Sequence, residues 1–186
     1  MYYFLKASLP GLMFGKEPGL SMEEFDTRCA EELSAERMAC LRKVALPVPR
    51  PPETGVFNSR LMTEFAVREQ YLRTRIAERR SSHANLCKLP DPAEYFPEID
   101  HAVAIAASAD EPLEREKIID RLRWQIIDEL DCGDEFGFEA LCAYRLKLAI
   151  LEKYSKLDIH GNAVALTAAE RKALKKRAEK VATVWM

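Results

Sequence analysis

The first residues whose spacing could serve chemistry lie in a glycine-bounded stretch at residues 11–16. A phosphate-binding loop needs four residues between its glycines, and a Ser or Thr after its lysine to hold magnesium. Here three residues separate Gly11 from Gly15, and Glu17 follows Lys16. A carboxylate at that position would repel phosphate. The stretch therefore does not predict nucleotide binding.

A second candidate is the pair His83 and Cys87, which lie four residues apart and would share one face of a helix. Zinc takes four protein ligands in structural sites and three in catalytic sites, and the other two histidines have no close Cys or His neighbours. The adjacent acids Asp128 and Glu129 point in different directions on a helix, so they do not form an acid–base pair. We predict no catalytic residue, no metal and no cofactor. A catalytic site assembled from residues distant in sequence is an alternative that spacing cannot test.

Composition narrows the class of protein. The formal net charge is −2, which gives no general attraction to nucleic acid or to an anionic membrane. The five cysteines are odd in number and form no C-x-x-C motif, a pattern typical of a reducing compartment. The N-terminus lacks the pattern of a signal peptide, and no apolar stretch reaches the roughly 18 residues of a membrane span. We expect a cytoplasmic protein that reaches a membrane only through its partners.

Charge is sorted locally along the chain. Residues 128–139 carry six acids and no base, whereas residues 171–180 carry six bases and one acid. Each run is either a solvated surface or a docking surface for a partner of opposite charge. The C-terminal run is the stronger candidate for partner binding, and the lysines proposed to bind are Lys172, Lys175, Lys176 and Lys180.

The elements that would position these residues are helices, because Ala, Leu, Glu, Lys and Arg abound and glycine is scarce. Capping boxes at residues 21–24 and 167–170 mark two helix starts, and Ser34 marks another. Residues 2–14 suit a strand or a short helix equally well, and Pro97 is interpreted as a break. Helices are also expected from residue 58 or 59 to residue 86, at residues 102–107 and from Pro112 to residue 130. The helix at 138–157 should be the most buried, and the last helix is expected at 168–185.

Two features of the connections complete the predicted fold. Residues 47–57 contain four prolines and form an extended connector. The long helix that follows places Glu64 four residues before Arg68, and Glu69 four before Arg73, the favourable order for ion pairs. The predicted fold is an all-α, irregular helical bundle with a proline-rich connector and a short irregular N-terminal segment. It forms a single domain, 1–186, or sub-domains 1–46 and 58–186 joined by the connector.

Four stretches resemble a bacterial family of unknown function that is encoded beside V-type ATP synthase subunits. They are Tyr2-Tyr3-Phe4-Leu5 with Ala7-Ser8-Leu9-Pro10, the arginine-bearing helix from Glu69 to Arg80, Pro112-Leu113-Glu114 through Trp124, and Phe136-Gly137-Phe138-Glu139 with Tyr144-Arg145-Leu146-Lys147-Leu148. The resemblance implies a helical protein in the genetic place of the V-type adaptor that links the central stalk to the membrane ring. That adaptor is itself considerably longer than this chain.

The resemblance and the absence of a catalytic motif together favour a non-catalytic adaptor or assembly subunit of a V-type rotary ATPase. Its expected partners are stalk or membrane-ring subunits, which charged helix faces would recognise. Two alternatives stay open: an unrelated helical protein-interaction module, and an enzyme with a spatially assembled site.

Overall fold

A computed structural model describes residues 2–48, 59–80, 95–131, 133 and 136–156 of the 186-residue chain. Within these ranges the backbone forms seven helices and no strand, which confirms the prediction of an all-α fold. None of the described helices is long and apolar enough to cross a membrane. The helices are α1 (Tyr3–Ser8), α2 (Met22–Glu32), α3 (Ala35–Arg42), α4 (Arg60–Arg80), α5 (Pro97–Ser108), α6 (Pro112–Leu130) and α7 (Phe138–Lys156).

The chain divides into two compact units, Met1–Glu152 and Lys153–Met186. Of the second unit, only the last residues of α7 are described, and every feature below belongs to the first. The predicted helix at 168–185 and most of the proline-rich connector lie outside the described residues. The domain boundaries predicted from the sequence remain a prediction.

Several helices begin where local sequence signals place them. Ser21 and Glu24 form the predicted capping box of α2, in which each side chain accepts from the other residue's backbone N–H. The Ser34 hydroxyl accepts from Arg37 N at the start of α3. The N-terminal segment begins with α1, so only the residues that follow Ser8 are irregular. The starts of α2 and α3 could be predicted because each capping hydroxyl bonds a backbone N–H only three residues further along the chain.

The interpretation of Pro97 as a break was wrong. Pro97 begins α5, which starts five residues before the predicted position and ends at Ser108. Proline suits the first turn of a helix because the N–H that it lacks would have no partner within the helix there. Pro112 begins α6 in the same way, as predicted.

Helix α7 is the core of the first unit, as its apolar sequence predicts. Leu141, Leu146 and Leu148 of α7 are fully buried, and Phe25 of α2 stacks on Tyr144 of the same helix with ring centroids 5.2 Å apart. A buried Leu or Phe side chain stabilises the fold by about 1.5–3 kcal/mol relative to an exposed one.

Two carboxylates of α7 also fix the starts of other helices. Glu139 accepts hydrogen bonds from the Ser59 hydroxyl at 2.6 Å and from the backbone N–H of Leu61 at 2.9 Å, at the start of α4. Glu152 accepts from Met22 N at 2.7 Å, at the start of α2. Negative charge at a helix N-terminus is stabilising because the first N–H groups have no partner within the helix.

Candidate functional site

One concave surface of the described residues is a groove formed by the C-terminal half of α4, the C-terminal half of α5 and residues 115–123 of α6. Its volume is about 750 Å³. It is lined by five arginines and one glutamate around aliphatic side chains: Arg73, Arg79, Arg80, Arg115, Arg123 and Glu116, with Ile76, Ala77, Val103, Ala106, Ala107 and Ile119. We call this surface the arginine groove.

Helix packing and residue size together create the arginine groove. The aliphatic side chains Val103, Ala106 and Ile119 are buried where α5 and α6 meet, so they form its floor. Ala77 and Ala107 also line the groove, and their short side chains leave space that larger residues would fill. The result is an apolar floor within a cationic rim.

One wall of the arginine groove is held by a buried ion network between α4 and α6. Arg123 donates from Nε and Nη2 to the two carboxylate oxygens of Glu69, both at 2.9 Å, and from Nη1 to Asp120 at 2.7 Å. Glu69 is 3% exposed and Asp120 is 1% exposed. Burial disfavours the charge of Arg123, but the hydrogen bonds that it donates to both carboxylates outweigh this effect and raise the pKa of the guanidinium.

Arg73 joins the same network less completely. Its Nε donates to Glu69 Oε1 at 3.0 Å, which confirms the predicted pair four residues apart. Its Nη2 is buried and finds no acceptor within the described part of the chain. The other predicted pair was wrong: Glu64 accepts from Arg60, and Arg68 reaches Glu129 on α6 at 2.6 Å. A neighbouring helix supplied Arg68 with a partner that local spacing cannot anticipate.

The remaining arginines of the groove form no ion pair with a described carboxylate. Arg115 donates from Nε to Ala109 O at 2.7 Å, a carbonyl just beyond the end of α5. Arg79 and Arg80 end α4 with exposed side chains, and neither forms an ion pair within the described ranges. These three cations give the rim its positive charge.

A separate polar cluster beside the groove fixes α5 against α4. Asp100 accepts from Arg75 Nε at 2.5 Å and Nη2 at 3.1 Å, and from the Tyr71 hydroxyl at 3.1 Å. The hydrogen bonds from Arg75 are the main reason that the pKa of Asp100 is lowered, and nearby Arg79 adds to this effect. This clamp positions the two helices whose C-terminal halves line the groove.

The side chains of the arginine groove are suited to binding anions. Arginine stays protonated at physiological pH and offers only donors, so it serves neither as a general base nor as a nucleophile. Elsewhere, burial raises the pKa of the Cys29 and Cys142 thiols to about 12, which leaves almost no thiolate at neutral pH. No group of three or more His, Cys, Asp or Glu residues suited to a metal occurs within the described ranges.

None of the described residues singled out in the sequence as candidates for chemistry or partner binding lines the arginine groove. The stretch at 11–16 is a turn in which Gly15 has φ +78°, and Phe14 packs edge-on against Trp124 of α6 with ring centroids 5.7 Å apart. Asp128 and Glu129 pair with Lys147 of α7 and Arg68 of α4 respectively, so they do point in different directions. The pair at 83 and 87, and the lysines Lys172, Lys175, Lys176 and Lys180, lie outside the described residues.

The arginine groove was not predicted from the sequence, although a weak signal was present. Arg73 and Arg80 flank Ile76 on α4, and Arg115 and Arg123 flank Ile119 on α6, at spacings that share one helix face. Paired arginines around an isoleucine could have marked two faces. Their convergence on one groove could not be foreseen, because it depends on how α4 and α6 pack.

Comparison with known proteins adds a family but no named relative. The model of a family described as "Protein of unknown function (DUF2764)" matches residues 64–163. No curated protein and no solved structure shows a significant match. The matched segment covers more than half of the chain and contains every residue that lines the arginine groove. It also contains three of the four stretches that carry the resemblance noted above, leaving out residues 2–10. The chain therefore belongs to the DUF2764 family of proteins of unknown function.

Proposed function

We propose that this protein is a non-catalytic adaptor or assembly subunit that binds an acidic, amphipathic segment of a partner protein in the arginine groove. The observation that carries the proposal is the combination of an aliphatic floor with a rim of arginines. An amphipathic helix binds such a groove by placing apolar side chains on the floor. Its acidic side chains would then meet Arg79, Arg80 and Arg115.

The charge of the groove supports a protein partner of opposite sign. The chain as a whole is slightly acidic, yet five of the six charged residues that line the groove are arginines. Glu69 and Asp120 offset Arg73 and Arg123 from behind, so the excess positive charge lies on the rim. Charges on a rim accelerate association and select the partner. Physiological salt screens the interactions of such exposed charges beyond about 8–10 Å.

The assembly we propose is a V-type rotary ATPase, with a stalk or membrane-ring protein as the partner. The support is the resemblance of residues 69–80, 112–124 and 136–148 to a family encoded beside such proteins. In that role the protein works at the cytoplasmic face, peripheral to the membrane, and joins its partners by shape and charge. An unrelated helical interaction module would use the same groove for a different acidic partner.

The experiment compares two charge reversals at equivalent places in two helices. Arg79→Glu with Arg80→Glu alters the end of α4 at the groove. Arg42→Glu with Lys43→Glu alters the end of α3, outside the residues that line it. Both variants change the charge equally and lose the same favourable interaction with a helix C-terminus. Each is tested for binding to purified V-type stalk and ring subunits at low and high salt.

We expect the α4 variant to bind at least about tenfold more weakly at low salt, because like charges then face each other across the interface. The difference should narrow at high salt, and the α3 variant should bind like the unaltered protein. Equal loss in both variants would mean that overall charge, and not the groove, governs binding. No binding of any V-type stalk or ring protein by the unaltered protein would remove the assignment to that assembly.

A further inference from the structure

Two arginines share Glu69, but they use their donors unequally. Arg123 directs three nitrogen atoms to two carboxylates and is 16% exposed. Arg73 directs only Nε to Glu69, and its Nη2 has no acceptor among the described residues. Arg123 thus uses all three guanidinium nitrogens in hydrogen bonds to carboxylates, whereas Arg73 has a nitrogen whose N–H donors are not used.

A buried donor without an acceptor is rare in folded proteins, because it forfeits hydrogen bonds to water. The Arg73 side chain is still 35% exposed and lines the arginine groove. A ligand in the groove therefore lies against the Arg73 side chain. An acceptor from the ligand, with a small rotation of the guanidinium end, would satisfy the unused donors while Nε keeps its hydrogen bond to Glu69.

We propose that Arg73 recognises one side-chain carboxylate of the acidic segment that binds in the groove. This inference rests on the proposed function of the groove and names the chemical contact that orients the partner. A carboxylate matches a guanidinium because two parallel N–H donors can meet its two oxygens. Ile76 and Ile119 line the same groove, so the recognised Asp or Glu must have apolar neighbours on the partner's surface.

The position of Arg73 separates its role from that of the rim. Arg79 and Arg80 are exposed, and their effect on a partner is long-ranged and weakened by salt. Arg73 is held by Glu69 and is only partly exposed, so its contact with a carboxylate depends on direct hydrogen bonds and is less sensitive to salt than that of the rim. The rim attracts an acidic segment, and Arg73 fixes its register.

The test uses two synthetic helical peptides with blocked ends. Both have leucines along one face and glutamates at the border of that face, and they differ only in whether the central border position is Glu or Gln. Binding of each peptide to the full chain is measured by calorimetry for the unaltered protein, Arg73→Gln and Arg73→Lys. Arg60→Gln is the matched control, since Arg60 also belongs to α4 and pairs with a glutamate four residues away, but lies outside the groove.

The unaltered protein should bind the central-Glu peptide about 10-fold to 100-fold more tightly than the central-Gln peptide, the range expected for a hydrogen bond to a charged group. Arg73→Gln should remove this preference without changing the affinity for the central-Gln peptide. Arg73→Lys should restore part of it, since lysine keeps the charge but not the planar donors. Arg60→Gln should leave both affinities unchanged, and inorganic phosphate should compete only weakly.

Three results would overturn the inference: equal weakening of both peptides by Arg73→Gln, an undiminished preference for Glu in that variant, or no binding of either peptide to the unaltered protein. Melting curves of each variant show whether a loss of binding reflects unfolding. The two proposals fail separately. If the peptide preference depends on Arg73 but no V-type protein binds, the carboxylate site stands and the assembly assignment falls. If V-type proteins need Arg79 and Arg80 but not Arg73 for binding, the assembly assignment stands and the carboxylate site at Arg73 falls.

Discussion

Replacing Glu69 by Gln should destabilise the protein far more than a surface ion pair would. Glu69 is 3% exposed and accepts three hydrogen bonds, two from Arg123 and one from Arg73. Removing one partner of a buried ion pair costs about 3–5 kcal/mol, because the remaining charge stays buried without compensation. Arg123 keeps its hydrogen bond to Asp120, and a glutamine can still accept one bond, so we expect a loss of about 3 kcal/mol, at the lower end of that range.

Urea unfolding followed by circular dichroism measures this loss. With a denaturant slope of about 2 kcal/mol per molar, the midpoint should fall by roughly 1.5 M. Glu78→Gln is the matched control, because Glu78 also lies on α4 and pairs with Arg75 at 2.7 Å but is 51% exposed. Its loss should stay below about 1 kcal/mol, as for exposed ion pairs generally. Equal losses in the two variants would refute the reasoning that burial of Glu69 makes its network important.

Two further predictions concern groups with altered pKa values. Asp100 has a lowered pKa in the folded protein, mainly through its hydrogen bonds to Arg75, so its contribution is present above about pH 4 and is lost as the pH falls through the folded value. The stability advantage over Asp100→Asn should therefore shrink between about pH 5 and pH 2 in urea titrations, and a constant difference would contradict it. Cys29 and Cys142, both fully buried with a pKa of about 12, should resist iodoacetamide at pH 8 in the native protein and react after unfolding, as peptide mass mapping would show. Alkylation of either thiol in the native protein would count against the burial.

The sequence alone determined the features that depend on neighbours along the chain. Ser21 and Ser34 identified two helix starts, since a cap and its amide are only three residues apart. Pro112 identified the start of α6, and the apolar run after Phe138 identified the most buried helix. These signals are reliable because hydrogen bonding within a turn and burial of one helix face both depend on the spacing of residues along the chain.

The tertiary structure decided which side chains meet across helices. Glu139 belongs to a run of acids interpreted as a solvated or docking surface, yet it accepts from Ser59, 80 residues away, and fixes the start of α4. Arg68 has Glu64 one turn before it, yet it pairs with Glu129 on α6. A charged side chain pairs with the partner that packing brings within reach, and sequence separation does not record that distance.

The arginine groove shows the same limit for the candidate site. Its cations come from α4 and α6, and its floor includes residues of α5 as well. Each helix face was visible in the sequence as arginines around an isoleucine. Only the packing of the three helices brings those faces together in one cationic groove. Because Arg123 bonds both oxygens of Glu69, Arg73 shares one of them through Nε and its Nη2 has no acceptor among the described residues.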